Sequence, residues 1–183
     1  TSAGTTSGFT IGGGAALTPI PDATESVNAF PIAGVVSPDG KHLYVSSFRL
    51  YGFNINADGS LDAMSGSPFG GANSYYQLAI TPDGSKLYAP AGSANAVFGF
   101  SLGADGTPTD LPGSPYASGG NFAFGLAITP DGQRAYSSNT NGNSIAAFNI
   151  GANGALSAIA GSPFATGAST GPQELGMEPG GSR

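Results

Sequence analysis

Leu78-Ala79-Ile80-Thr81-Pro82-Asp83-Gly84-Ser85-Lys86-Leu87-Tyr88 is a short apolar run, a turn, and a second apolar run that ends in tyrosine. Pro82 presets φ at the second position of a turn, Asp83 can bond its own backbone, and Gly84 supplies the positive φ that closes a hairpin. The same unit occurs at Val35-Val36-Ser37-Pro38-Asp39-Gly40-Lys41-His42-Leu43-Tyr44. It returns at Leu126-Ala127-Ile128-Thr129-Pro130-Asp131-Gly132-Gln133-Arg134-Ala135-Tyr136, with a worn copy over 175–183. The turn prolines stand at 38, 82, 130 and 179, so the period is 44 to 49 residues.

A second motif runs in phase with the first. Phe9-Thr10-Ile11-Gly12-Gly13-Gly14-Ala15-Ala16-Leu17 matches Phe53-Asn54-Ile55-Asn56-Ala57-Asp58-Gly59-Ser60-Leu61, and further copies begin at Phe100 and Phe148. Each reads as a strand, an Asp-Gly or Asn-Gly type of hairpin turn, and the start of another strand. A third motif follows at Gly66-Ser67-Pro68-Phe69, Gly113-Ser114-Pro115-Tyr116 and Gly161-Ser162-Pro163-Phe164. There proline ends a strand, and the aromatic is placed to dock into the next unit's core. In the third copy the four strands fall near 124–129, 134–138, 144–150 and 155–160.

Four antiparallel strands in a repeat of 40 to 50 residues are the signature of a β-propeller blade. No 3.6-residue apolar period is sustained, so helices are not expected. Large residues on one strand face and small ones on the other, as in Phe98, Phe100 and Leu102 against Gly99 and Ser101, suit blades buried on both sides. The fold read from the sequence is all-β, a propeller of about four repeats forming part of a larger propeller. Residues 1–183 are read as one propeller domain or segment: a partial blade at 1–34, repeats near 35–77, 78–125 and 126–174, and a partial blade at 175–183. Counted against the repeat, second strands are one fewer than first, third or fourth strands. A gapped, closed four-bladed ring would bury unpaired backbone groups at about 1–3 kcal/mol each. The open edges are therefore expected to meet missing blades of the same chain or to associate edge to edge with a neighbouring copy.

Charged residues make up only 9% of the chain, against roughly 25% in an average domain. A net charge of −6 with five basic residues argues against nucleic acid and anionic membrane surfaces. No apolar run approaches the roughly 20 residues of a membrane span. The absence of cysteine removes disulfides, thiolate chemistry and cysteine zinc sites. No cofactor and no metal is implied. Sparse charge with abundant Ser, Thr, Asn and Gly suits an exported protein, extracellular or periplasmic.

With these motifs in hand, the chain resembles the lactonase-like, or YVTN-type, bacterial β-propeller repeat proteins. The resemblance rests on Ser37-Pro38-Asp39-Gly40-Lys41-His42-Leu43-Tyr44-Val45 and its copies, and it covers essentially the whole chain. It implies a propeller fold. Members of the 6-phosphogluconolactonase type commonly carry Pro-Arg-His just before the inner strand, at the mouth of the channel. Alignment on the Pro-Asp-Gly turn puts that histidine at Ala33, Gln77, Gly125 and Glu174, and the arginine at Ile32, Tyr76, Phe124 and Gln173. No copy keeps the pair, so no catalytic residue is assigned. The sequence therefore predicts a non-catalytic exported propeller acting as a binding or interaction scaffold. The alternative is a lactonase-type hydrolase whose catalytic residues lie in blades outside this stretch.

Candidate chemistry is thin elsewhere. His42, the only histidine, sits level with Lys86 and Arg134 and reads as a surface residue. Asp39, Asp83 and Asp131 are explained by their turns, and Asn56-Ala57-Asp58-Gly59 lacks the spaced carboxylates of a calcium loop. The lead-ins to the inner strands are richer than a scaffold demands. Tyr75, Tyr76, Gln77, Asn121, Phe122 and Phe124, with Gln173 and Glu174 in the last copy, place aromatics and amides where a propeller channel opens. They are the candidate site for a small neutral ligand such as a sugar, or for a protein surface.

Overall fold

The computed structural model describes residues 4–27, 30–178 and 180. A long hairpin, β1 (Gly4–Ile11) and β2 (Leu17–Val27), precedes three antiparallel sheets. The first sheet holds β3 (Ala33–Val36), β4 (His42–Ser46), β5 (Leu50–Ile55) and β6 (Leu61–Ala63) in that spatial order. The second repeats it with β7 (Ala79–Ile80), β8 (Lys86–Ala91), β9 (Ala96–Leu102) and β10 (Pro108–Asp110). A fifth, two-residue strand, β11 (Tyr116–Ala117), pairs back onto β9. The third holds β12 (Ala123–Ile128), β13 (Arg134–Asn139), β14 (Ser144–Ile150) and β15 (Leu156–Ala158), with β16 (Phe164–Ala165) pairing back onto β14. The chain is thus all-β, built of propeller-like four-stranded sheets that do not close into a ring.

The Pro-Asp-Gly turns form as their residues dictate. Gly40, Gly84 and Gly132 sit at φ of 74°, 74° and 70°, and each donates its N–H three residues back, to Ser37, Thr81 and Thr129. Each aspartate accepts from the hydroxyl two residues before it, at 2.6 Å for Asp39 and 2.5 Å for Asp83 and Asp131. It also accepts from the backbone N–H two residues after it. Those hydroxyl bonds first, and the backbone bonds second, hold all three carboxyls below the usual carboxylate range. A carboxyl depressed in the folded state stabilises the fold above its unfolded value, and that contribution is lost as pH falls through the folded value. Urea midpoints should therefore decline below the ordinary carboxylate range. Asp131→Asn should make this acid limb shallower; an unchanged slope would show that the turn carboxylate contributes nothing.

Bulky and small faces alternate as blade stacking requires. Phe100 of the second sheet packs against Tyr44, Leu50 and Met64 of the first. Phe148 and Leu156 of the third pack against Tyr88, Val97 and Leu111 of the second. The hairpin contributes Ile20, Ala23 and Val27 to the face of the first sheet that carries Phe53 and Leu61. Two buried tyrosines tie successive sheets by hydrogen bonds. Tyr44 Oη donates to Gly106 O at 2.5 Å, and Tyr88 Oη donates to Gly154 O at 2.7 Å. The Gly-Ser-Pro motif adds a third repeated contact. The hydroxyls of Ser67, Ser114 and Ser162 accept from the backbone N–H of Gly52, Gly99 and Ala147 at 3.1, 3.0 and 2.9 Å.

Two elements differ from the sequence reading. Residues 173–177, read as the first strand of a further blade, form no strand. A first strand gains its ladder from the second strand beside it, and none lies there among the described residues; the turn proline Pro179 lies outside them. The segment is held instead by side chains of its neighbours. The chain also makes one 3₁₀ turn, Thr140–Gly142, where no helix was expected.

Candidate functional site

Two lead-ins, to β12 and to the segment 172–175, are each fixed by an asparagine in the left-handed region. Asn95, at φ 52°, accepts from Phe122 N–H through Oδ1 at 2.7 Å. Asn143, at φ 47°, does the same for Gly171 N–H at 2.9 Å. Asparagine tolerates that conformation because its short amide bonds locally. Phe122 itself is held at φ 64°, an uncommon conformation for a large residue. Strain of this kind persists only where the surroundings over-determine it. Here the Asn95 bond and packing of the Phe122 ring over Gly92 provide that constraint.

The result is a half-buried aromatic trio. Tyr76 lies 4.6 Å from Phe124 and 5.3 Å from Phe122 between ring centroids, and Phe122 stacks on Phe124 at 6.5 Å. Phe124 also lines a pocket of about 240 Å³, together with Ile32, Ala33, Gly34, Gln77, Leu78 and Glu174. Three of the four positions aligned with the lactonase histidine, Ala33, Gln77 and Glu174, thus meet around one opening. The fourth, Gly125, lies beneath it, where a Cβ would stand 2.0 Å from Gln173 O.

Gln77 fastens this mouth. Its Oε1 accepts from Leu126 N–H at 3.0 Å and Leu175 N–H at 3.1 Å, while its Nε2 donates to Leu175 O at 2.9 Å. The segment carrying Glu174 is further held by Ser138 Oγ, which donates to Gln173 O at 2.5 Å, and Thr140 Oγ1, which donates to Pro172 O at 2.8 Å. Four side-chain contacts therefore fix residues 172–175 without a β ladder and leave the Glu174 carboxyl exposed at the opening.

The candidate residues separate into groups. Tyr76, Phe122 and Phe124 form the aromatic trio, and Gln77, Phe124 and Glu174 share the pocket. Tyr75 is fully buried in the core between the first two sheets. Its hydroxyl donates to Gly70 O, its ring meets Phe98 edge-on at 5.3 Å, and burial pushes its pKa up to about 12. That side chain is a packing group with no face toward the opening. Asn121 is exposed, and its carbonyl accepts from Gly142 N–H. Gln173 is exposed and joins the site through its carbonyl.

His42 has a specific structural neighbour. Its Nδ1 lies 3.1 Å from Asn54 Oδ1, and its ring covers the turn glycine Gly106 of the next sheet. The Lys86 stem covers Gly154 in the same way. Crevices of about 380 and 350 Å³ lie beside these two contacts. They are larger than the mouth pocket, but they recur between successive sheets and are lined mainly by turn residues, so they belong to the repeat. Asp58 is similarly absorbed by its turn, accepting from Ser60 N–H at 3.0 Å and Ser60 Oγ–H at 2.7 Å. Among the described residues, no three His, Cys, Asp or Glu side chains come together as a metal-binding group.

Stacked four-stranded antiparallel sheets make a propeller-like architecture, and the same fold is found in solved structures of proteins named as lactonases. A protein from Bacteroides uniformis provisionally named a 6-phosphogluconolactonase superposes with a TM-score of 0.83 at 22% identity, over 97% of this chain and 55% of that one. A second, from Bacteroides fragilis and similarly named, gives 0.69 at 25% identity over 79% of this chain and 42% of that one. The periplasmic gluconolactonase of Pseudomonas aeruginosa gives 0.75 at 19% identity over 93% of this chain and 52% of that one. The chain spans about half the length of these proteins. No known family profile and no curated protein matches the sequence. The likeness shows the fold. It also corrects the functional expectation, because neighbours named as lactonases favour the hydrolase alternative over the non-catalytic scaffold.

Proposed function

We propose that this chain forms part of a larger, YVTN-type propeller that hydrolyses lactones, and that the mouth pocket faces the substrate. One observation carries the reading: positions aligned with the lactonase histidine converge on a single opening that holds one carboxylate, Glu174. Lactone hydrolysis adds water to the ester carbonyl and releases the ring oxygen as a hydroxyl, giving a hydroxy acid. A carboxylate at the opening serves this chemistry as the general base that takes a proton from the attacking water. Phe124, backed by Tyr76, offers an apolar face for the sugar ring. The Gln77 amide carries a second hydrogen beyond the one given to Leu175 O, suited to the substrate's carbonyl oxygen.

The pocket favours a neutral lactone. No Lys or Arg is among its described lining residues, and a phosphate would meet the Glu174 carboxylate without the bidentate cation that phosphate recognition uses. An exported, periplasmic setting accords with the composition and with the P. aeruginosa neighbour. The test is steady-state hydrolysis of glucono-lactone against its 6-phosphate, corrected for spontaneous opening. Higher kcat/KM for the neutral substrate is expected. A preference for the phosphorylated lactone would overturn the substrate assignment, and absence of turnover on both would overturn the reading.

A further inference from the structure

One strained residue has an unstrained counterpart in the next repeat. Phe122, three residues before Gly125, is held at φ 64°. Gly171, three residues before Glu174, takes the same place one repeat on, at φ 49°. Each donates its N–H to an asparagine Oδ1, Phe122 to Asn95 at 2.7 Å and Gly171 to Asn143 at 2.9 Å. The lead-in therefore requires a left-handed residue, and glycine meets that requirement without a Cβ. A phenylalanine there is disfavoured by its backbone, so what position 122 gains over position 171 is the ring.

That ring has a defined seat. It lies over Gly92, where an added Cβ would stand 2.8 Å from it. The seat brings it 5.3 Å from Tyr76 and 6.5 Å from Phe124, with only 22° between the two phenylalanine planes. All three rings are half-buried. Phe124 lines the mouth pocket, whereas Tyr76 and Phe122 do not. They continue its aromatic surface beyond the pocket as a shelf. Beside the shelf, Asn121 is exposed, and its side-chain amide bonds no described residue.

We propose that this shelf is a subsite for a second sugar residue, so that the substrate is an aldonolactone carrying a glycosidically linked sugar. The pocket takes the lactone ring, which rests on the lactonase reading above, and the shelf takes its neighbour. A pyranose presents an apolar face of C–H groups, which packs on the electron-rich face of an aromatic ring. Around that face runs a rim of hydroxyls that both donate and accept. The Asn121 amide answers the rim with N–H donors and a carbonyl acceptor. An alkyl tail would use the rings and leave the amide idle. A single sugar ring held in the pocket of about 240 Å³ would reach Phe124 and leave Phe122 uncovered.

The probes are glucono-lactone, cellobionolactone and an alkyl δ-lactone, with rates corrected for spontaneous opening. The disaccharide lactone should exceed glucono-lactone in kcat/KM by about tenfold, the effect of one good aromatic contact, chiefly through a lower KM. Phe122→Gly suits the left-handed backbone, as Gly171 does, and removes only the ring. The disaccharide preference should then fall to near unity, and Asn121→Ala should lower it by less. Equal kcat/KM for the two sugar lactones overturns the subsite, as does a preference for the alkyl lactone. A loss in Phe122→Gly that is the same for both sugars overturns it too, by making the ring a packing group. Turnover of none of the three is the failure of the lactonase reading, and calorimetric titration with cellobiose and with glucose then decides the shelf alone. Tighter binding of cellobiose that Phe122→Gly abolishes upholds the subsite; equal binding of the two sugars, or none, overturns it.

Discussion

Glu174→Gln should lower kcat/KM for neutral lactones by roughly 10²–10⁴-fold, the range by which a positioned general base accelerates proton transfer. The substitution keeps the side chain's size and removes only its ability to take a proton. Glu174 is exposed, and its segment is held through backbone atoms of residues 172–175. Stability should therefore change by no more than about 0.5 kcal/mol, as for surface positions generally. The loss should appear in kcat with KM little altered. A second variant tests placement as distinct from chemistry. Gly125→Ala sets a Cβ 2.0 Å from Gln173 O, so the segment carrying Glu174 must move. Activity should fall although the carboxylate is retained, and more in kcat than in KM. Full turnover in Glu174→Gln would remove this carboxylate from the reaction; full turnover in Gly125→Ala would show that its position is not fixed by the contacts described.

Much of the fold was legible because its determinants are local and repeated. A Pro-Asp-Gly turn states where a hairpin reverses, and Gly84 at φ 74° does what its residue type requires. The strands predicted near 134–138 and 144–150 form as β13 and β14 with almost the same limits. The site was only half legible. Aromatics before the inner strands are visible in sequence, but which of them face the opening depends on packing. Tyr75 and Tyr76 are neighbours, yet one is buried between sheets and the other joins the aromatic trio. The asparagines that hold the lead-ins left a fainter signal, Asn95 and Asn143 at the same offset before the third strands. The clamp made by Gln77 could not be read at all. It joins residues 98 apart in sequence, and an exposed-looking amide carries no mark of its partner. The missing strand at 173–177 has the same origin: strand propensity needs a neighbour to pair with.

Phe100→Ala should destabilise the chain by about 3–5 kcal/mol, whereas Phe9→Ala, at the same motif position, should change monomer stability by less than about 0.5 kcal/mol. Phe100 is 1% exposed and fills the space between the first two sheets beside Tyr44, Leu50 and Leu87. Its ring also meets Tyr75 edge-on at 6.3 Å, a geometry worth more than area alone. Removing it leaves a void walled by two sheets whose tyrosine hydrogen bond resists collapse, so the cavity cost falls at the upper part of the range. Phe9 stands at the equivalent place in the motif but is 48% exposed, so truncation removes little buried surface. Denaturant midpoints measured at low protein concentration separate the two effects. Equal costs for the two substitutions at low concentration would mean that the hairpin's apolar face is already covered within a single chain.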